Sequence, residues 1–276
     1  MTHTKANKSK VLALILGLTM CIALMLGIVF ASPTSTVYAE GGTGTTGGLT
    51  IGGESDISGT GYFYKGATKT LMLQSYNGKE IYFYGDVIQL EGNNTITVDK
   101  TSKKFGSSSS PYYAGIDSRG AITITGSGSL AINMETSDVE EMCYGISASN
   151  GMTINSGNIT ININSFYSQQ SIGLLSSNGS IKVEGSATLD IKAKTGAMLT
   201  YRGDIILSGT REKKILTNVG EDTWPQYGIY AQNGVIDISG SGKVTVDFIN
   251  GGASRGILSA EGAIKIAEMA NKVRQK

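Results

Sequence analysis

Four aromatic residues in this sequence of 276, Trp224, Tyr227, Tyr167 and Tyr144, have the types and settings to recognise a ligand. Pyranose rings present apolar C–H faces that pack on aromatic planes, while sugar hydroxyls need amides and carboxylates. Gln169, Gln226, Glu140 and Asp222 supply those polar types beside the aromatic residues. Trp224 precedes Pro225 in a polar run, and an exposed tryptophan is unusual without a use. A sugar-binding strip is the functional expectation. The bland alternative is that Tyr113, Tyr144 and Tyr227 stack as an ordinary ladder and the charged segments are simply hydrated.

Catalysis finds less support. Glycoside hydrolysis needs two carboxylates roughly 5–9.5 Å apart; Glu140 and Asp222 are available, but nothing in their spacing specifies the pair. There is no nucleophile elbow, phosphate loop or zinc spacing. Asp138, Glu140 and Glu141 form an acidic run of a kind that takes calcium, although three acids in a loop are more often only hydrated. No catalytic residue, resident metal or cofactor is assigned on this basis, and the chain reads as a non-enzyme.

Composition narrows the class further. Charged residues are 16% of the chain and aromatics 7%, while glycine reaches 38 residues with only 3 prolines. Glycine at roughly twice its usual share, mixed with Ile, Val, Thr and Ser, implies many short strands joined by tight turns. A formal charge of +1 excludes a strongly basic nucleic-acid binder. Lys5, Lys8 and Lys10 precede an uncharged run from Val11 to Ala31, and Val37-Tyr38-Ala39 closes it, the order of a secretory signal. Residues 1–39 are expected to be removed; left uncleaved, the run is long enough to cross a bilayer and would be the one route to a membrane. Cleavage would take three lysines, no acid, the sole histidine His3 and Cys21, leaving 20 basic and 22 acidic residues and Cys143 alone. The expected location is outside the cell or on its surface.

These residues need elements to position them, and a repeat supplies them. Residues 40–48 read as a Gly/Thr-rich linker and 49–112 as an irregular β region and cap, with turns at Asn77-Gly78 and Gly92-Asn93-Asn94 and an exposed loop over 100–112. From 113 to 266 a Gly-aliphatic pair is followed by a second glycine and then alternating apolar residues. Gly115-Ile116, Gly145-Ile146, Gly173-Leu174, Gly228-Ile229 and Gly256-Ile257 anchor the units, and Met198-Leu199 stands in for the pair in a degenerate copy. Each unit supplies a short Gly-aliphatic strand and two runs of period-two alternation, which place their apolar side chains on one face. One unit cannot bury that face alone; stacked units can. The corner dipeptides Asn150-Gly151, Asn178-Gly179 and Asn233-Gly234 suit left-handed backbone. The fold expected is a right-handed parallel β-helix of about six to eight coils, with an antiparallel β-sandwich as the alternative. Residues 267–276 read as a tail or short capping helix. The polar inserts that return the chain to each Gly-aliphatic corner would then emerge along one side and bring Tyr167, Gln169, Asp222, Trp224 and Glu140 together.

The units, as in Gly228 to Ile238, resemble secreted bacterial right-handed β-helix proteins of the pectate-lyase-like superfold, in particular carbohydrate-binding-domain proteins of bacterial surfaces. The likeness covers roughly 81–266 and describes how such a helix turns. It implies non-catalytic binding of plant-type or acidic polysaccharide or wall glycan, sometimes with calcium. A structural or adhesive surface protein bound to another protein or to the wall is the alternative function, and a polysaccharide lyase or hydrolase a weaker one. Arg211-Glu212-Lys213 matches the Arg-x-Lys of polygalacturonases in the same superfold, but their Asp-Asp pair is missing and no histidine lies beyond His3, so no residue role is carried over.

Overall fold

The computed structural model describes residues 48–136, 141–164, 170–218, 226–249 and 254–267. The expected leader, most of the linker and the tail beyond Ala267 lie outside these residues. The described chain is almost all strand and runs repeatedly through three sheets. Sheet 1 stacks Leu49–Ile51, Ile81–Phe83, Ser110–Ser118, Met142–Ala148, Ser171–Ser176, Gly196–Arg202, Gln226–Asn233 and Ser254–Ser259 in that order. Sheet 2 carries Val87–Glu91, Ile122–Gly126, Met152–Ile154, Ile181–Val183, Ile205–Leu207, Ile236–Ile238 and Ile264–Ile266. Sheet 3 carries Asn93–Asp99, Ser129–Glu135, Asn158–Asn164, Thr188–Ala193, Lys213–Asn218 and Val244–Ile249. Each strand pairs in parallel with its counterpart one coil on, so the chain is a parallel β-helix. The sandwich alternative is excluded, because it would pair successive strands antiparallel.

Register makes the repeated apolar positions into columns. On sheet 2, Ile122, Met152, Ile181, Ile205, Ile236 and Ile264 stack in one line, and Ile124, Ile154, Val183, Leu207 and Ile238 in the next. These side chains are buried except at the last coil, where Ile264 and Ile266 are exposed. The stacked path starts well before residue 113: Leu49–Ile51 already pairs with Ile81–Phe83. Thr70–Gln74 pairs with Val87–Glu91, and Tyr62–Lys65 and Ile57–Gly59 follow antiparallel, so sheet 2 ends toward the N-terminus in a three-residue strand, a short edge of the kind that discourages edge-to-edge pairing.

The repeated glycine has a steric cause. A Cβ at Gly115, Gly145, Gly173 or Gly228 would lie 2.4–2.5 Å from a γ-methyl of Ile132, Ile161, Ile191 or Val246, the branched residue across the same coil. The following aliphatic residue also points inward, since Ile116, Ile146, Leu174 and Ile229 are all core. Two successive residues facing inward break the period-two alternation, so the residues flanking them, three apart, both face out. In the degenerate unit the register aligns Leu174 with Met198 and Met198 with Ile229. Ala197-Met198, not Met198-Leu199, therefore takes the Gly-aliphatic place. The second glycine packs turn on turn in every unit but the first, where Gly120 has open space: a Cβ on Gly234 would meet the Gly203 carbonyl oxygen at 1.9 Å. Of the three corner dipeptides only Gly151 has positive φ, +103°; Gly179, Gly234, Asn150, Asn178 and Asn233 do not, so the expected left-handed backbone is found at one corner alone. At this corner inward hydroxyls also bind backbone, with Ser176 Oγ donating to the Gly179 carbonyl at 2.6 Å and Ser259 Oγ to Gly234 at 2.8 Å.

Two expected irregular segments are ordered instead. Asn77–Gly78 is a short strand against Asn93–Asp99 rather than a turn. Asn94 is buried inside the coil, where its amide accepts from the Tyr76 N–H and donates to the Glu91 and Ser129 carbonyls. Within the expected loop over 100–112, Phe105–Ser107 folds back antiparallel on Ser110–Ser118. Burial of the Phe105 ring explains why it does so.

Candidate functional site

The outer face of sheet 1 carries an apolar cluster of its own, separate from the core. Phe105, Ala114, Tyr144, Ile172 and Leu175 are buried there, with Tyr82, Tyr112, Met142 and Leu199 packed against them. The face is built from two columns created by the double inward step. One runs Ala114, Tyr144, Ile172, Gly196, Tyr227, Arg255. The other runs Tyr82, Asp117, Ser147, Leu175, Leu199, Tyr230, Leu258.

Aromatic rings gather at both ends of this strip. Toward the N-terminus the centroids of Tyr84 and Tyr82 are 4.6 Å apart, Tyr82 and Phe105 5.4 Å, Phe105 and Tyr112 5.9 Å, and Tyr112 and Tyr144 5.1 Å. Toward the C-terminus Tyr227 and Tyr230 stack at 4.5 Å with 19° between their planes. Tyr84 is 49% and Tyr201 37% exposed, and both lie close to these groups electrostatically. Tyr144 and Tyr227 are three strand steps apart in one column, about 14 Å at ~4.8 Å per strand. Between them Ile172 and Leu175 are buried and Leu199 is half-buried.

Polar groups concentrate at the N-terminal end. Arg119 Nε donates to the Tyr82 hydroxyl, and its guanidinium carbon lies 5.5 Å from the centre of that ring. Lys103 Nζ is 5.8 Å from the same ring, and cations so placed are held by the ring quadrupole. Lys104 pairs with Glu141. The Tyr112 hydroxyl donates to Asp117 Oδ1 at 2.9 Å. Asp117 is 3% exposed; burial raises its carboxyl above the usual carboxylate range, against the opposing pull of the Tyr112 and Ser147 hydroxyls and Arg119. Burial likewise pushes the Tyr112 and Tyr144 phenols above their ordinary value.

The sequence expectations meet this surface only in part. Tyr144 and Tyr227 are on it, though Tyr144 is largely covered, with its hydroxyl donating to Met142 Sδ and to Gln170 Oε1. They do not form one row with Tyr113, which aligns with Cys143 and is buried in the main core. Gln226 is also buried, one residue before the outward Tyr227. Strand alternation turns it inward, so it cannot reach a ligand on the outer face. Trp224, Tyr167, Gln169, Glu140 and Asp222 lie outside the described residues, as does Asp138 of the acidic run. Among the described residues no three His, Cys, Asp or Glu side chains are grouped to hold a metal ion. Tyr82, Tyr84, Tyr112, Tyr201 and Tyr230 went unread. The signal for Tyr230 was its spacing of three from Tyr227 across Gly228-Ile229, and for Tyr82 and Tyr84 their alternation with inward Ile81 and Phe83.

Chemically, the two ends of the strip offer ring faces, with Lys103 and Arg119 beside the N-terminal rings and Arg255 next to Tyr227. Asp117 is the one acid in either column, so the two-carboxylate arrangement of glycoside hydrolysis is not built on them. The chain matches no protein-family model, no curated protein and no solved structure.

Proposed function

We propose that this chain is a non-catalytic binding module, carried outside the cell by its N-terminal leader, that takes a polysaccharide along the outer face of sheet 1. The observation that carries the reading is the presence of two groups of exposed or half-buried rings, Tyr82–Tyr84–Tyr112 and Tyr227–Tyr230, on one face at a separation of several sugar rings. Amphipathic rings held on a rigid sheet supply contact area at low entropic cost. The resemblance of the repeat to surface carbohydrate-binding β-helix proteins supports the same reading.

A specific observation favours a second reading. The half-buried Leu199 and Leu258, in one column with Tyr230, suit a protein partner as well, in keeping with an adhesive role. The two are separated by migration of the protein in native gels cast with pectin, xylan, β-glucan or peptidoglycan-derived glycan. The glycan reading expects retardation in at least one gel and no release of reducing ends or unsaturated products. Free migration in all of them points to the protein partner, and steady product release points to an enzyme.

A further inference from the structure

The column that carries Asp117 is otherwise apolar or hydroxylated, and Asp117 sits in it between Tyr82 of the coil below and Ser147 of the coil above. A buried carboxylate costs stability unless it is well bonded. Here Oδ1 accepts from Tyr112 while Oδ2, also sealed from solvent, lacks a hydrogen bond of normal geometry. The groups facing it are Tyr82 and Tyr84 from the coil below, Tyr112 and Arg119 from its own coil, and the Ser147 hydroxyl from the coil above. Packing alone does not call for an acid at this point, since Leu175, Leu199 and Leu258 serve in the same column.

The geometry points to Asp117 as the positioning residue of the binding strip: ionised, it anchors the Tyr112 hydroxyl and balances Arg119, which in turn holds Tyr82, so that the N-terminal rings present fixed faces to a sugar chain. This rests on the polysaccharide reading above. Each phenol hydroxyl has one tie, Tyr112 donating to Asp117 and Tyr82 accepting from Arg119, and these ties fix the ring planes. The ligand class that fixed ring faces favour is a polymer of pyranoses with equatorial substituents, whose apolar faces are open.

The charge state separates this role from a structural one. Burial raises the Asp117 carboxyl, so the protonated form is favoured by folding, and stability is lost as pH rises through the folded-state value. Asp117→Asn mimics that form. It is expected to melt higher than the unaltered protein at neutral pH, yet to bind the retarding polysaccharide about fivefold more weakly, the difference between a charge-assisted and a neutral hydrogen bond. Binding by the unaltered protein should weaken on acidification above the usual carboxylate range, and Asp117→Asn should lack that limb. Tyr112→Phe, which removes the donor, should lose affinity to a similar extent without raising the melting temperature as Asp117→Asn does. In NMR of protein carrying ring-labelled tyrosine, the Tyr112 phenol should ionise at lower pH in Asp117→Asn. Equal affinity and an unchanged pH profile in Asp117→Asn would overturn the assignment and leave the polysaccharide reading standing. Failure of the unaltered protein to bind any of the polysaccharides would overturn both.

Discussion

Two polar residues share an inward column of sheet 3, where Asn94, Leu130, Ile159, Leu189, Lys213 and Val244 stack in register. Asn94 is satisfied by three hydrogen bonds. Lys213, 1% exposed, has only the Arg211 carbonyl at 2.9 Å as acceptor, and burial lowers its ammonium below the ordinary lysine range. A depressed lysine pKa means that the charge is disfavoured in the fold, so stability should rise with pH until the unfolded amine also loses its proton. Lys213→Leu should therefore raise the melting temperature at neutral pH by a few degrees, about 1 kcal/mol, and abolish that upward trend on alkaline titration. Asp99 has the opposite sign. Its pairing with Lys79 and Thr101 lowers the carboxyl to about 2, so its stabilising contribution is present above the ordinary carboxylate range and is lost as pH falls toward that value. Asp99→Asn should melt lower than the unaltered protein at pH 7 and converge with it in strong acid. Because the pair is partly exposed, the gap should also shrink with salt.

The corner strand is the element that decides both the fold and the surface. Gly145 leaves no room for a side chain against Ile161, so Gly145→Ala should cost about 1–3 kcal/mol by overpacking. Combining it with Ile161→Leu, which moves the branch away from Cβ, should return part of that loss in a double-mutant cycle; additive losses would place the constraint elsewhere. Ala197 in the equivalent place, buried without strain in the backbone, shows that one coil has made the adjustment. The recurrence of Gly-aliphatic pairs and the period-two runs made the coil, its sheets and most of its core legible in the sequence. The outer face was not, because alternation fails at the double inward step, so that Tyr227 and Tyr230, three apart and of opposite parity, face the same way. Phe105 was equally hidden. A lone aromatic in a Ser/Gly-rich stretch carries no period, and its burial depends on the tyrosines it meets.

Across the described coils, each sheet 1 strand contacts the strand before and after it in register, and stability in such stacks is nearly a sum of neighbour terms. That regularity makes a ligand strip straightforward to build: an outward aromatic residue in any coil joins the line at ~4.8 Å per step. It also means that substitution of outward side chains should leave the core intact, which permits a clean comparison of faces. The direct measurement is affinity for the retarding polysaccharide by native gel, comparing the unaltered protein with Tyr227→Ala/Tyr230→Ala on sheet 1 and Thr160→Ala/Asn162→Ala on the outer face of sheet 3. The account predicts at least about a tenfold loss for the tyrosine pair, equivalent to ~1.4 kcal/mol, and none for the sheet 3 pair. Undiminished binding by the tyrosine variant, or an equal loss from sheet 3, would contradict it.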